Sequence, residues 1–117
     1  MALTNNILTE ISYIAGITAD ALYDNDLNTT AYVQLIIIHN GNSTSENVKL
    51  YKVPNNSGSL GTAGVSNIMY NLTLVANETI MIEVAKMGIM LIAQHDSIQA
   101  STTTSNKVTV QIYGDKS

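Results

Sequence analysis

The sequence predicts an all-β fold, an antiparallel β-sandwich of about eight strands, jelly-roll or immunoglobulin-like. Three observations predict it. Several segments of six or seven residues alternate apolar with polar side chains, the period of a strand with one face on a core and the other in water. Turn-forming residues separate these segments at short intervals. The chain has 117 residues, 45% hydrophobic and 12% charged, which is the size of one domain. A domain of that length buries about two-thirds of the surface its unfolded form exposes.

Residues 1–20 read as an N-terminal strand or arm, and 21–117 as a single sandwich domain. Ile7, Leu8, Ile11, Ile14 and Ala15 also fit a helical stripe, with Thr4 as cap and Gly16 as stop, but the β-branched content favours a strand. Tyr32 to Ile38 is apolar on both faces apart from Gln34, and Asn40-Gly41-Asn42-Ser43 follows as a turn. Val48 to Val53 is a strand ended by Pro54, which opens the loop Asn55 to Ser66 with Gly58, Gly61 and Gly64. In Ile68 to Leu74, Ile68, Tyr70, Leu72 and Leu74 oppose Met69, Asn71 and Thr73. After the Asn77-Glu78 turn, Ile80, Ile82 and Val84 oppose Thr79, Met81 and Glu83. Met87 to Ala93 is the second segment apolar on both sides, and a further strand starts near Ile98. Ser101 to Asn106 forms another turn before Lys107 to Tyr113, where Val108, Val110 and Ile112 oppose Thr109, Gln111 and Tyr113.

Charge removes several function classes. The net charge is −4, and the five cations are all lysine: Lys49, Lys52, Lys86, Lys107 and Lys116. Without arginine or a dense basic patch, nucleic-acid binding is not expected. Residues 1–48 carry −5 and residues 49–117 carry +1, a polarity able to orient a subunit in an assembly. The absence of cysteine excludes a disulfide scaffold and a thiolate zinc site. The longest near-apolar run, Met87 to Ala93, is seven residues, against roughly 20 for a membrane-spanning helix. No basic residue precedes Lys49, so no secretory signal is expected.

No set of acid, base and nucleophile converges, so the chain is expected not to be an enzyme and to need no cofactor or metal. His39 stands beside the Asn40-Gly41 turn, and His95-Asp96 reads as a polar turn rather than a general-base pair. Asp24, Asp26 and Asn28 match the opening ligands of a calcium loop, but Thr29 and Leu35 stand where its glycine and glutamate belong. Neither a nucleophile elbow nor a P-loop is present. What the sequence offers is contact surface. A strand apolar on both faces lies centrally in a covered sheet or against another subunit, which makes Ile36 and Ile38 interface candidates. Met69, Met81, Met87 and Met90 suit adaptable contacts or a second core layer. Gly58, Gly61 and Gly64 suit either a flexible connection or a pliable loop that orders on a neighbour. Tyr51 and Tyr113 fall on outward faces by alternation and make a small sugar platform conceivable.

The order of the later motifs resembles a family of small virion structural proteins of tailed bacteriophages. The resemblance rests on Leu50-Tyr51-Lys52-Val53-Pro54, the loop Asn55 to Ser66, and Leu72-Thr73-Leu74-Val75-Ala76-Asn77-Glu78-Thr79. Asp96-Ser97-Ile98-Gln99-Ala100 and Val108 to Gly114 continue it, and Ala21-Leu22-Tyr23 and Ile38-His39-Asn40 resemble earlier positions. It spans roughly residues 21–114. His95 and Asn77 depart from it, standing where glycine is usual, although both residue types accept left-handed backbone angles. The resemblance implies a β-sandwich that binds the phage particle as a repeated subunit, and it brings no catalytic residues. The expected function is therefore a capsid decoration (cement) protein bridging capsid subunits at the outer surface of a virion made in the bacterial cytoplasm. Its expected partners are itself, as a homo-oligomer such as a trimer, and the major capsid protein or other virion subunits, with no nucleic acid and no membrane. A neck, tail or fibre-attachment subunit and a carbohydrate-binding module remain as alternatives.

Overall fold

Alternation becomes strand wherever the sequence shows it. The computed structural model describes residues 4–84 and 88–117. Lys86 and Met87 lie outside the described residues. Nine strands follow in order: β1 (Thr4–Tyr13), β2 (Asp20–Asp24), β3 (Ala31–Asn40), β4 (Glu46–Val53), β5 (Ile68–Leu74), β6 (Thr79–Glu83), β7 (Ile89–Leu91), β8 (Ser97–Thr102) and β9 (Val108–Lys116). A short 3₁₀ turn, Val65–Asn67, precedes β5.

All pairings are antiparallel. One sheet runs β1-β9-β3-β6 with β7 also on β3, and the other runs β2-β8-β4-β5. Because β9 occupies one side of β3, β6 and β7 share the other: β6 pairs with Leu35 to His39 and β7 with Ala31 to Val33. They are two halves of one interrupted strand, so the sandwich has eight strand positions. With β6 and β7 counted as one, successive strands cross from one sheet to the other except β4 and β5, which stay together. That order is a jelly roll. In an immunoglobulin sandwich, several consecutive strands would stay in one sheet.

The core is aliphatic: Val33, Ile36, Ile38, Val48, Leu50, Leu74, Leu91, Ile98, Val110 and Ile112 are among its members. The phase of β3 is set by a bulge. Val33 pairs with Gly114 and Leu35 with Tyr113, so Gln34 is an extra residue and both Gln34 and Leu35 stay half-exposed. Beyond it Ile36 and Ile38 turn inward, and Leu35, Ile37 and His39 turn outward. Gly114 makes the bulge possible, since a Cβ there would run into the Tyr32 carbonyl oxygen.

The two ends of the sandwich are closed by matching clasps built on buried asparagines. At one end Asn25 Nδ2 donates to the carbonyls of Thr29 (2.7 Å), Leu91 (3.3 Å) and Ala93 (3.1 Å). At the other, Asn40 Nδ2 donates to those of Thr44 (3.0 Å), Leu74 (3.1 Å) and Val75 (3.1 Å). The backbone N–H of Asn25 meets the Asp96 carbonyl and that of Asn40 meets the Glu78 carbonyl, both at 2.9 Å. Each asparagine thus ties its own loop to a tight turn from another strand pair. The turns match as well. His95 (φ 68°) and Asn77 (φ 63°) take the left-handed position, as their residue types allow. Asp96 and Glu78 each accept the backbone N–H three residues earlier, from Ala93 and Val75.

Candidate interaction surface

The outer face of the larger sheet is assembled by alternation on four elements. β9 contributes Thr109, Gln111, Tyr113 and Asp115; β3 contributes Tyr32, Leu35, Ile37 and His39. β6 adds Thr79, Met81 and Glu83, and β7 adds Met90. Register lines these up in rows across the strands. Gln111, Ile37 and Met81 form the central row, and Tyr113, Leu35 and Glu83 the next. On the other side lie Thr109, His39 and Thr79, and beyond Leu35 come Asp115, Tyr32 and Met90. Met81, at the edge-strand end of the central row, is 64% exposed. Along the neighbouring edge, Ile7, Ile11 and Tyr13 of β1 are also exposed. On β6 and β9 the outward acidic groups are Glu83 and Asp115, both near the same end, and Glu10 of β1 is exposed beside the Gln111 row. His39 Nδ1 lies 2.7 Å from Thr79 Oγ1 at the opposite end.

The other sheet is polar outside. β8 is buried along its whole length, with Ser97, Gln99 and Ser101 under cover. Part of that cover is the loop after Pro54, since Gln99 Nε2 donates to the Gly61 carbonyl at 2.9 Å. The loop is pinned at its start too, where Asn55 N and Nδ2 both donate to Asp96 Oδ1 at 2.9 Å. Burial alone would raise the Asp96 carboxyl, but the hydrogen bonds from Asn55, Ala93 and Ile92 outweigh it and hold the group below its ordinary value.

The expected contact residues divide accordingly. Met81, Met90 and Tyr113 share the outer face of the larger sheet, with the Tyr113 hydroxyl donating to Gln111 Oε1 at 2.6 Å. Ile36 and Ile38 do not reach it. Both are 0% exposed, because the bulge at Gln34 reverses the parity that would have turned them outward with the glutamine. Met69 also departs from alternation: a register shift between Leu50 and Tyr51 leaves it as the extra residue in β5, half-buried against the core. Gly58 (φ 85°) and Gly64 are exposed, whereas Gly61 is wedged against Pro54 and Val53, so this loop is fastened down within the chain itself. Tyr51 stands on β4 of the smaller sheet, its hydroxyl 3.0 Å from Ser101 Oγ. Tyr51 and Tyr113 therefore lie on opposite faces of the molecule and form no common sugar platform. Sequence reasoning missed Leu35 and Ile37, which the bulge concealed, and also Tyr32, which shares the parity of Gln34.

The polar groups considered for chemistry are engaged structurally. His95 Nδ1 lies 2.9 Å from Asp24 Oδ1, and Asp26 Oδ2 lies 3.9 Å from Lys116 Nζ. Lys116 also sits 5.6 Å from the centre of the Tyr23 ring. Burial, followed by the charges of Asp26 and Asp24, pushes the Tyr23 hydroxyl up to about 12. Its O–H donates to Asn25 Oδ1 at 3.0 Å, so Tyr23 belongs to the clasp. Among the described residues, no group of three or more His, Cys, Asp or Glu side chains is placed to hold a metal ion.

No family model matches the chain, and no curated protein does. Among solved structures, it is similar to one described as "Structure of infectious bursal disease virus Gt strain", at 7% identity and a TM-score of 0.34. The match covers 98% of this chain and 32% of that one, so the chain spans about a third of the length of the protein it matches.

Proposed function

We propose that this protein is a non-enzymatic structural subunit of a virus particle, a capsid decoration protein that strengthens the shell by adding buried interface. The observation that carries the reading is the outer face of the larger sheet, where exposed Met81 stands beside half-buried Leu35, Ile37, Met90 and Tyr113. A jelly roll needs only its inner faces apolar, so a contiguous apolar outer face serves a contact with another protein surface. The order of sequence motifs resembling small phage virion proteins supports placing that contact in a particle. The engagement of His95, Asp24 and Asp96 in structural pairs supports a role without catalysis.

The test is whether the protein sediments with purified particles and is visible as a repeated density on them. Protein that is abundant in infected cells and absent from the particles overturns the assignment.

A further inference from the structure

We propose that the outer face of the smaller sheet carries a binding site for an acidic sugar, a six-membered ring bearing a carboxylate, seated over Lys49. The site lies on the other side of the molecule from the face read as an assembly surface, and it stands whether or not that face is covered. The carrying observation is a hollow of about 260 Å³ lined by Ile17, Asn47, Lys49, Ser101, Thr102 and Thr103. Strand parity turns Asn47, Lys49 and Tyr51 of β4 outward, each half-buried, while Val48 and Leu50 enter the core.

Lys49 differs from the other described lysines in its surroundings. Lys116 lies 3.9 Å from Asp26 Oδ2, Lys107 acts on buried Glu46, and Lys52 lines a separate hollow together with Asp96. Lys49 makes no ion pair among the described residues. Register sets Ser101 on one side of it and Asn71 on the other. The adjacent rows on this face bring Asn47 with Thr73, and Tyr51 with Gln99. None of these residues is acidic. In a chain of net charge −4, a half-buried lysine thus stands among neutral polar neighbours, where an anion meets attraction and no like charge in the adjoining rows.

The polar groups around it select the anion. Asn47 Nδ2 is committed to Asn71 Oδ1 (2.8 Å) and the Leu72 carbonyl (3.1 Å), which leaves Asn47 Oδ1 as an acceptor. Thr103 Oγ1 accepts from Asn47 N at 3.2 Å and keeps its own proton to donate. Tyr51 and Ser101 share one hydrogen bond at 3.0 Å, so that pair has one O–H to spare. A carboxylate matches the amine. Sugar hydroxyls, which both donate and accept, match the rest. The Lys49–Ser101 and Asn47–Thr103 pairs are two residues apart along β4, about 7 Å, a separation that one sugar ring bridges. Ile17, 80% exposed, supplies an apolar edge for the C–H face of the ring. A phosphate calls for arginine forks or a helix N-terminus, and the hollow has neither.

Amide NMR spectra of the full chain, recorded during titration with sodium glucuronate, read the site directly, with glucose and sodium acetate as comparison probes. The expected result is a saturable shift centred on the amides of Asn47, Lys49, Ser101 and Thr103, with a dissociation constant of about 1–10 mM for a single ring in an open hollow. Glucose and acetate each hold half of the chemistry and should bind at least about tenfold more weakly. Lys49→Met keeps the side-chain stem and should weaken glucuronate about tenfold, whereas Lys52→Met should leave it unchanged. Well-dispersed spectra verify that both variants fold. A uronate trisaccharide that binds more tightly than the single ring upholds the site and makes a polysaccharide its source; equal affinity upholds it with a free sugar acid. No saturable shift by about 50 mM, acetate binding as tightly as glucuronate, or glucuronate binding unmoved by Lys49→Met would overturn the proposal.

Discussion

Replacing Asn40 by aspartate changes almost no volume and reverses the direction of the hydrogen bonding that closes one end of the sandwich. The native amide is fully buried and donates to the carbonyls of Thr44, Leu74 and Val75, while its oxygen accepts from Asn42 N at 2.9 Å. An amide has two hydrogens, so the substitution removes about two net hydrogen bonds, worth roughly 1 kcal/mol each. It also sets a carboxylate oxygen against buried carbonyl oxygens, which adds about 1–3 kcal/mol. The expected loss at pH 7.5 is about 3–5 kcal/mol, or roughly 12–20 °C in melting temperature for a domain of this size. Asn40→Ala, which loses the bonds without the repulsion, should cost about 2–3 kcal/mol.

The two variants differ most in their response to pH. In the folded Asn40→Asp chain the new carboxyl is held neutral longer than in the unfolded chain, so its folded pKa is raised. Above the unfolded value the folded state then binds more protons, and stability falls as pH rises. The gap between this variant and wild type should therefore narrow on acidification from pH 7.5 to pH 4, where one O–H donor returns. The alanine variant should show no such trend. Circular dichroism melts of all three proteins at both pH values supply the assay. A gap that is constant or wider at pH 4, or an aspartate variant as stable as wild type at pH 7.5, would refute the reasoning.

Three further outcomes are expected. Glu46 is buried and accepts from Asn42 Nδ2 at 3.0 Å and Thr104 N at 2.9 Å. Its desolvation is outweighed by these bonds and by Lys107, so its carboxyl sits below the ordinary 4.5. The stability it supplies is then complete above that value and lost as pH falls through the lower folded one; Glu46→Gln should flatten wild-type acid melting curves between about pH 5 and 3. Gly61→Ala drives a Cβ into the Pro54 carbonyl oxygen and Val53 Cγ1, so the loop must shift and loosen the Gln99 bond. A destabilisation of about 1–3 kcal/mol is expected from urea midpoints, and an unchanged midpoint would mean that the loop is not fastened as described. Met81→Ser, by contrast, removes an exposed side chain and should leave the monomer's melting temperature within about 2 °C, read in dilute solution.

Much of this architecture is written in the sequence as parity. The strands from Ile68 onward show clean alternation, and Asn77 and His95 mark turns because their residue types tolerate a left-handed backbone. Parity fails where a strand inserts a residue. Gln34 is the one polar residue in Tyr32 to Ile38, and it suggests that Ile36 and Ile38 share its outward side. The bulge places Gln34 and Leu35 outward together and hands the surface to Ile37. Met69 is displaced by the same device. The clasps were hidden for a different reason: Asn25 and Asn40 look like ordinary turn asparagines, and their carbonyl partners at Leu91, Ala93, Leu74 and Val75 are distant in sequence. Gln99 and Gly61 are likewise joined only by the topology.

The clasp at Asn40 also governs how the protein ages chemically. An asparagine followed by glycine is the step at which a chain most readily cyclises: the glycine nitrogen attacks the side-chain carbonyl carbon, ammonia leaves, and water opens the succinimide to aspartate or isoaspartate. Here the attacking nitrogen, Gly41 N, donates to the Lys107 carbonyl at 2.8 Å, and the leaving amide is held on three carbonyls. Cyclisation must wait until this end of the sandwich opens, so its rate is the rate of the free dipeptide multiplied by the fraction of molecules open at any moment. Aspartate at position 40 is the very substitution that loosens the clasp. One damaged copy is thereby less able to stay closed than an intact one, so damage concentrates in molecules that have already opened.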